Sequence, residues 1–192
     1  MDYFSVFKTP SRPEAQWFHV GSASSFPDIG ADEEEVVDLS QPRTCGGKGG
    51  LGTGAEEQNK IPGCKAFHIP KTNPSEGREV KVAAEDVPAD LTDQVLVFKH
   101  KGKFHAIDHS CPHSSFPLSQ GTPFDIEDFG IVLSAGITCP KHGWSFDLFS
   151  GRADRGNYKL KVWEVELRDV KGGDPASSTD KEVWVRRKQR MG

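Results

Sequence analysis

The stretch CPHSSFPLSQG, residues 111–121, sets Cys111 and His113 two positions apart among turn-forming residues. CPKHGWSFD, residues 139–147, sets Cys139 and His142 three positions apart. Either loop alone fits a cysteine nucleophile beside a histidine base, half of a metal site, or chance. Together they offer two thiolates and two imidazoles, with one of each kind from each loop. Zinc modules usually pair like with like along the chain, CxxC and then HxxxH. The crossed pattern instead suits a centre of two metals, one taking both sulfurs and the other both nitrogens, with a Cys2His2 zinc site as the alternative.

Outward from these loops, short β-prone runs alternate with turn residues: CKAFHI, REVKVA, QVLVFKH, KFHAID, IVLS, WSFDLF, KVWEVEL and EVWVRR. This predicts an all-β fold. WFHV at 17–20 reads as an opening strand, and HKGK at 100–103 as a tight hairpin turn. VKGGDPASSTDKE joins the last two strands through a longer loop. In KVWEVEL, Trp163, Val165 and Leu167 alternate with Val162, Glu164 and Glu166, as a strand with one core-facing side requires. No helix is expected beyond a turn near EDVPADLTD at 85–93.

A chain of 192 residues suits one domain. We place it at 16–188, after an extension at 1–15 and before a basic end at 189–192. An insertion at 28–62 carries the acidic run DIGADEEEVVD and the glycine-rich CGGKGGLGTG. Gly47, Gly49 and Gly52 match GxGxxG, but no buried strand precedes them and no amphipathic helix follows, so the dinucleotide fingerprint lacks its context. Cys45 and Cys64 border this region and receive no role. Four cysteines are too few for a disulfide scaffold and fit a reducing compartment. With no secretory signal and no apolar run of membrane-spanning length, the expectation is a soluble, cytoplasmic protein. A net charge of −4 gives no broad electrostatic reason to bind nucleic acid or an anionic membrane.

The segments FHAIDHSCPHSSFPLSQG and ITCPKHGWSFDLFSGRADRGNYKLKVWEVEL resemble the Rieske [2Fe-2S] proteins. Both ligand pairs, the proline after each cysteine, His142-Gly143, the following Phe-Asp and Gly151 fall in family positions. The resemblance covers residues 94–187, with WFHVGSASSFPD similar to the family's opening strand. It implies three small antiparallel sheets with both loops at one tip, and one [2Fe-2S] cluster per chain. Cys111 and Cys139 would hold one iron, and His113 and His142 the other, with the histidines facing solvent and the cysteines inward.

Two departures stand out. Between His113 and Cys139 lie 25 residues, more than a compact Rieske ferredoxin has, so TPFDIEDFG is expected to be an extra excursion near the cluster. The respiratory subclass carries a disulfide between its cluster loops, where this chain has Phe116 and Lys141, and a serine where this chain has Trp144. Both differences point to the lower half of the Rieske range of roughly −150 to +300 mV.

Rieske oxygenases add a catalytic domain whose iron is held by two histidines and a carboxylate, and no histidine follows His142 here. The expectation is therefore an electron carrier without bond-making chemistry of its own. It would take single electrons from a redox protein donor, a flavoprotein reductase, and pass them to an acceptor that the sequence does not identify. The alternatives are a non-catalytic subunit of a multicomponent oxygenase or reductase, and a zinc-stabilised structural or sensor protein.

Overall fold

The structure is a computed structural model that describes residues 16–30, 61, 63–81, 90–129, 131–170 and 180–188. The 1–15 extension, Cys45 with most of the 28–62 insertion, residues 85–89 of the 85–93 turn and the basic end at 189–192 lie outside the described residues. So does the middle of the last connection.

Eleven strands are described. They are β1 (Phe18–Ser22), β2 (Asp28–Ile29), β3 (Lys65–His68), β4 (Arg78–Val80), β5 (Gln94–His100) and β6 (Lys103–Asp108). The remainder are β7 (Thr122–Asp128), β8 (Ile131–Cys139), β9 (Trp144–Asp147), β10 (Trp163–Asp169) and β11 (Lys181–Arg187). Among the described residues the only helical elements are short 3-10 turns, at Ala23–Ser25, Pro74–Glu76 and Leu118–Gln120.

The strands form three sheets. One has the order β1-β11-β10, and a second the order β7-β8-β9, all antiparallel. In the third, β5 pairs antiparallel with β3 and β6, β3 pairs with β4, and the two-residue β2 adds to β5 in parallel.

β5 shows why the run VLVF is apolar without alternation. Leu96 and Phe98 belong to one core with Ile107, Leu118, Ile137 and Phe146, while Val95 and Val97 belong to a second with Phe67, Trp163, Val183 and Val185. A strand covered on both faces needs apolar side chains on both. The HKGK turn is as expected: His100 pairs with Lys103, and Lys101 and Gly102 take left-handed φ values of 44° and 78°. On β10 the alternation holds at Trp163, which is buried, and fades by Leu167, which is exposed.

TPFDIEDFG is a correction to the sequence expectation. Its residues Thr122–Asp128 form β7, paired with β8 from Thr122↔Thr138 to Asp128↔Ile131. Only its start lies beside Cys139; at about 3.3 Å per residue the hairpin carries its far end some 20 Å from the loops. It extends a sheet away from the site.

His105, on β6, lies against Phe98 with ring centroids 5.6 Å apart, and its buried Nε2 has no hydrogen-bond partner among the described residues. Burial first, then the charges of His100 and Lys103, lower its pKa to about 4, against an opposing pull from Asp147. The folded value is below the unfolded one of about 6.5. The stability this group contributes is therefore present above pH 6.5 and lost as pH falls toward 4. His105→Leu is expected to remove on the order of 1 kcal/mol of the stability lost between pH 7 and pH 5, read from thermal melts. Equal pH slopes in both proteins would contradict this.

Candidate metal centre

Two loops leave the sheets side by side. The first follows β6: a bridge between Ser110 and Pro117 closes it, the Cys111 N–H donates to the Phe116 carbonyl at 2.9 Å, and the Ser115 N–H donates to the Cys111 carbonyl at 2.8 Å. The second is the β8–β9 hairpin, whose last pair is Cys139↔Trp144. There the Gly143 N–H donates to the Cys139 carbonyl at 2.9 Å, and Gly143 has a φ of 66°, which a residue with a Cβ adopts only at a cost.

His109 supports the first loop from below. It is 1% exposed, with Nδ1 2.9 Å from Gln94 Oε1 and Nε2 2.9 Å from Ser119 Oγ. Burial lowers its pKa to about 4, so the ring is neutral. An amide oxygen only accepts, so Nδ1 carries the proton and Nε2 accepts from the serine. Its backbone joins both sides: the His109 N–H donates to the Gln94 carbonyl, and the Leu118 N–H donates to the His109 carbonyl. The side chain steadies the loop and does not face the ligand set.

The four candidate ligands fall into two pairs. Cys111 and Cys139 are each 1% exposed, are part of the β5 core, and are free thiols. They stand close enough for Cys111 to influence the ionisation of Cys139. Burial, and Cys111 alongside, push the Cys139 thiol up, while the Lys141 backbone N–H directed at its sulfur opposes this. The Ser114 hydroxyl, from the other loop, stands 4.0 Å from Cys139 Sγ. The imidazoles meet further out: the His113 and His142 centroids are 5.1 Å apart at 78°, and His142 is exposed.

His113 Nδ1 is buried and has no partner among the described residues. A buried polar atom left unpaired costs free energy, and a metal ion would relieve that cost. Two facing buried thiols have the same character, since a cation stabilises the thiolates that burial disfavours. The residues present thus fit a metal group with sulfur ligands inside and nitrogen ligands outside. Among the described residues, no three His, Cys, Asp or Glu side chains converge closely enough to surround one ion; the four divide as a sulfur pair and a nitrogen pair.

Around this set lie Trp144, Phe116 and Lys141, which the sequence marks, and two residues that it does not, Tyr158 and Arg155. Trp144 stacks on His113, with centroids 4.6 Å apart at 24°, and Tyr158 meets both rings edge-on at 5.2 and 5.1 Å. Arg155 donates to the Gly143 carbonyl at 2.7 Å while its guanidinium sits 5.4 Å from the Trp144 ring. Where the resembling subclass has its disulfide, Lys141 Nζ lies 5.8 Å from the Phe116 ring, a cation–π contact between the loops. Tyr158 and Arg155 come from the GRADRGNYKL turn, whose distance along the chain hid them.

Comparison with known proteins gives the same answer. Mouse apoptosis-inducing factor 3 is 41% identical over 59 residues, which are 30% of this chain but only 8% of that protein. The ferredoxin component of the alkene monooxygenase system of Xanthobacter autotrophicus is 31% identical over 97 residues, covering 45% of this chain and 70% of the relative. A solved complex of reduced oxygenase and oxidized ferredoxin in carbazole 1,9a-dioxygenase aligns at 26% identity over 56% of this chain and 81% of the matched chain, with a TM-score of 0.35. The family model of the Rieske [2Fe-2S] domain matches residues 69–166. Matched by that model over more than half its length, the chain belongs to the Rieske [2Fe-2S] family.

Proposed function

We propose that this protein carries single electrons on a [2Fe-2S] cluster, with Cys111 and Cys139 on one iron and His113 and His142 on the other. The observation that carries this is the split of the ligand set: two facing thiols in the core, and two touching imidazoles above them with the His113 Nδ1 unpartnered. Such a cluster supplies reversible one-electron chemistry, and its histidine-ligated form accepts an electron more readily than a four-thiolate cluster.

The chain's own residues hold and tune the site. The Lys141 N–H and the Ser114 hydroxyl are placed to stabilise negative charge on the Cys139 sulfur. Trp144, Tyr158 and Arg155 fix the His113 ring and the Gly143 carbonyl, which limits reorganisation of the loops. Exposed His142 gives an electron a short path to the surface.

Relatives named as ferredoxin components of an alkene monooxygenase and of a methanesulfonate monooxygenase support a reductase as donor and an oxygenase component as acceptor. We place the protein in the cytoplasm, in keeping with Cys111 and Cys139 being free thiols. No described helix is long and apolar enough to cross a membrane.

Anaerobic purification with iron and acid-labile sulfide analysis, followed by potentiometric titration of the visible and paramagnetic signals, tests the proposal. The expected midpoint lies in the lower half of roughly −150 to +300 mV. Two features support that value: the loops are joined by the Lys141–Phe116 contact instead of a disulfide, and Trp144 has no hydroxyl to donate. A midpoint near the top of the range would contradict it.

A further inference from the structure

We infer that the tip carrying His113 and His142 is a docking face for an acidic patch on a redox-protein partner, formed by a collar of Lys141, Arg152, Arg155, Lys159 and Lys161. This rests on the electron-carrier function proposed above and specifies the partner's surface.

The chain as a whole has 28 acidic and 24 basic residues, yet the loops at 110–117 and 139–145 contain no acid. The 152–161 turn beside them contains one, Asp154, which Arg155 holds at 2.9 Å. Lys161 stands 3.5 Å from Asp108, while Lys141, Arg152 and Lys159 enter no ion pair among the described residues. All five collar residues are exposed.

Their placement around the tip is continuous. Lys159 and Lys161 line a groove with Cys111, Pro112 and Ser115, and Arg152, Tyr158 and Lys159 share the next hollow. Arg155 lies over Trp144, and Lys141 over Phe116. The groove lined by Lys159 and Lys161 also carries Asp90, Asp93 and Asp108, of which Asp93 is held by Lys71 and Arg187 and Asp108 by Lys161; a further acidic group, Asp125, Glu127 and Asp128, lies on β7, whose far end points away from the loops. With a screening length of about 10 Å at 0.1 M salt, a partner at the tip responds to the collar more than to the net charge of the chain. Such a field steers association and favours an acidic counter-surface.

The sign of the salt effect tests this, because the net charge of −4 and the local collar call for opposite results. Holoprotein reduced with dithionite and freed of excess is mixed in a stopped-flow instrument with ferricyanide, an anionic oxidant that takes one electron to become ferrocyanide. A parallel series uses the cationic tris(bipyridyl)cobalt(III), which takes one electron to become cobalt(II). Raising ionic strength from about 10 to about 200 mM is expected to slow the ferricyanide reaction about threefold and to speed the cobalt reaction. The double variant Arg152→Glu/Lys159→Glu is expected to reverse both trends with its visible spectrum unchanged.

Ferricyanide oxidation that accelerates with salt in the wild type, or salt slopes unaltered in the double variant, overturns the inference. So does collar-dependent co-sedimentation with phosphatidylcholine vesicles containing about one fifth phosphatidylserine, which would assign the collar to a lipid surface. A preparation without acid-labile sulfide overturns the electron-carrier function, and the inference with it. A loaded protein with the wrong salt slope overturns the inference alone.

Discussion

Cys139→Ser and His142→Ala are each expected to lower bound iron and acid-labile sulfide more than about tenfold and to abolish the visible spectrum, while Cys45→Ser keeps both. The two substitutions fail for different reasons. Cys139 is 1% exposed beside Cys111, in a place where burial raises the thiol pKa. The Cys139 and Cys111 thiols would give up their protons on holding iron, which would neutralise the thiolates there; a serine hydroxyl, with a far higher pKa, does not give up its proton so readily. His142 is exposed, so alanine removes a nitrogen ligand with little effect on the core, which makes it the cleaner variant. His142→Cys supplies a thiolate at the same position and is expected to retain iron while moving the midpoint toward the four-thiolate value of about −400 mV. Metal and sulfide analysis, with spectroscopy of the reduced samples, reads all four. Colourless wild-type protein that contains zinc and no sulfide would instead support the Cys2His2 zinc alternative.

The ligand loops were legible because each packs its chemistry into a few consecutive residues: the spacing of Cys111 with His113 and of Cys139 with His142 survives any uncertainty in the fold. β5 and β6 were legible to the residue, since VLVF and FHAI flank a turn whose geometry Lys101 and Gly102 set locally. β7 was not. Pro123 and its three acids read as an irregular excursion, although Phe124 and Ile126 keep a two-residue period, and pairing with β8 supplies the order that propensity does not. β2 escaped notice because two residues paired with Lys99 and His100 leave no pattern. The aromatic cover of the site depends on Tyr158 meeting His113 across 45 positions of sequence, a contact that only the tertiary fold creates. The acidic and glycine-rich insertion was read from composition, and most of it lies outside the described residues.

Gly151→Ala is expected to cost more than about 4 kcal/mol of stability, a loss reserved for a few severe mechanisms. Gly151 has a φ of 73°, and a Cβ there would stand 2.0 Å from the Leu160 carbonyl oxygen. The left-handed conformation alone costs an alanine about 1–2 kcal/mol. The overlap adds more, because its obstacle is backbone: the Leu160 N–H donates to the Gly151 carbonyl and the Gly151 N–H to the Asp147 carbonyl, each at 2.8 Å, so neither segment can retreat without losing a bond. Those two points are the ends of the turn that carries Arg155 and Tyr158, and through them the support of Trp144 and His113. Urea unfolding should therefore show the loss, and the loaded protein should release its iron faster to a chelator. Two controls separate conformation from overlap. Gly102→Ala meets a φ of 78° with nothing within 4 Å of its Cβ, so its cost should stay near the conformational 1–2 kcal/mol. Gly151→Asn tolerates the left-handed region better than alanine but keeps the clash, so it should recover at most the conformational part, about 1–2 kcal/mol, and leave the larger part of the loss. Equal costs at 102 and 151 would mean that the close approach of Gly151 to Leu160 does not hold the turn over the metal centre.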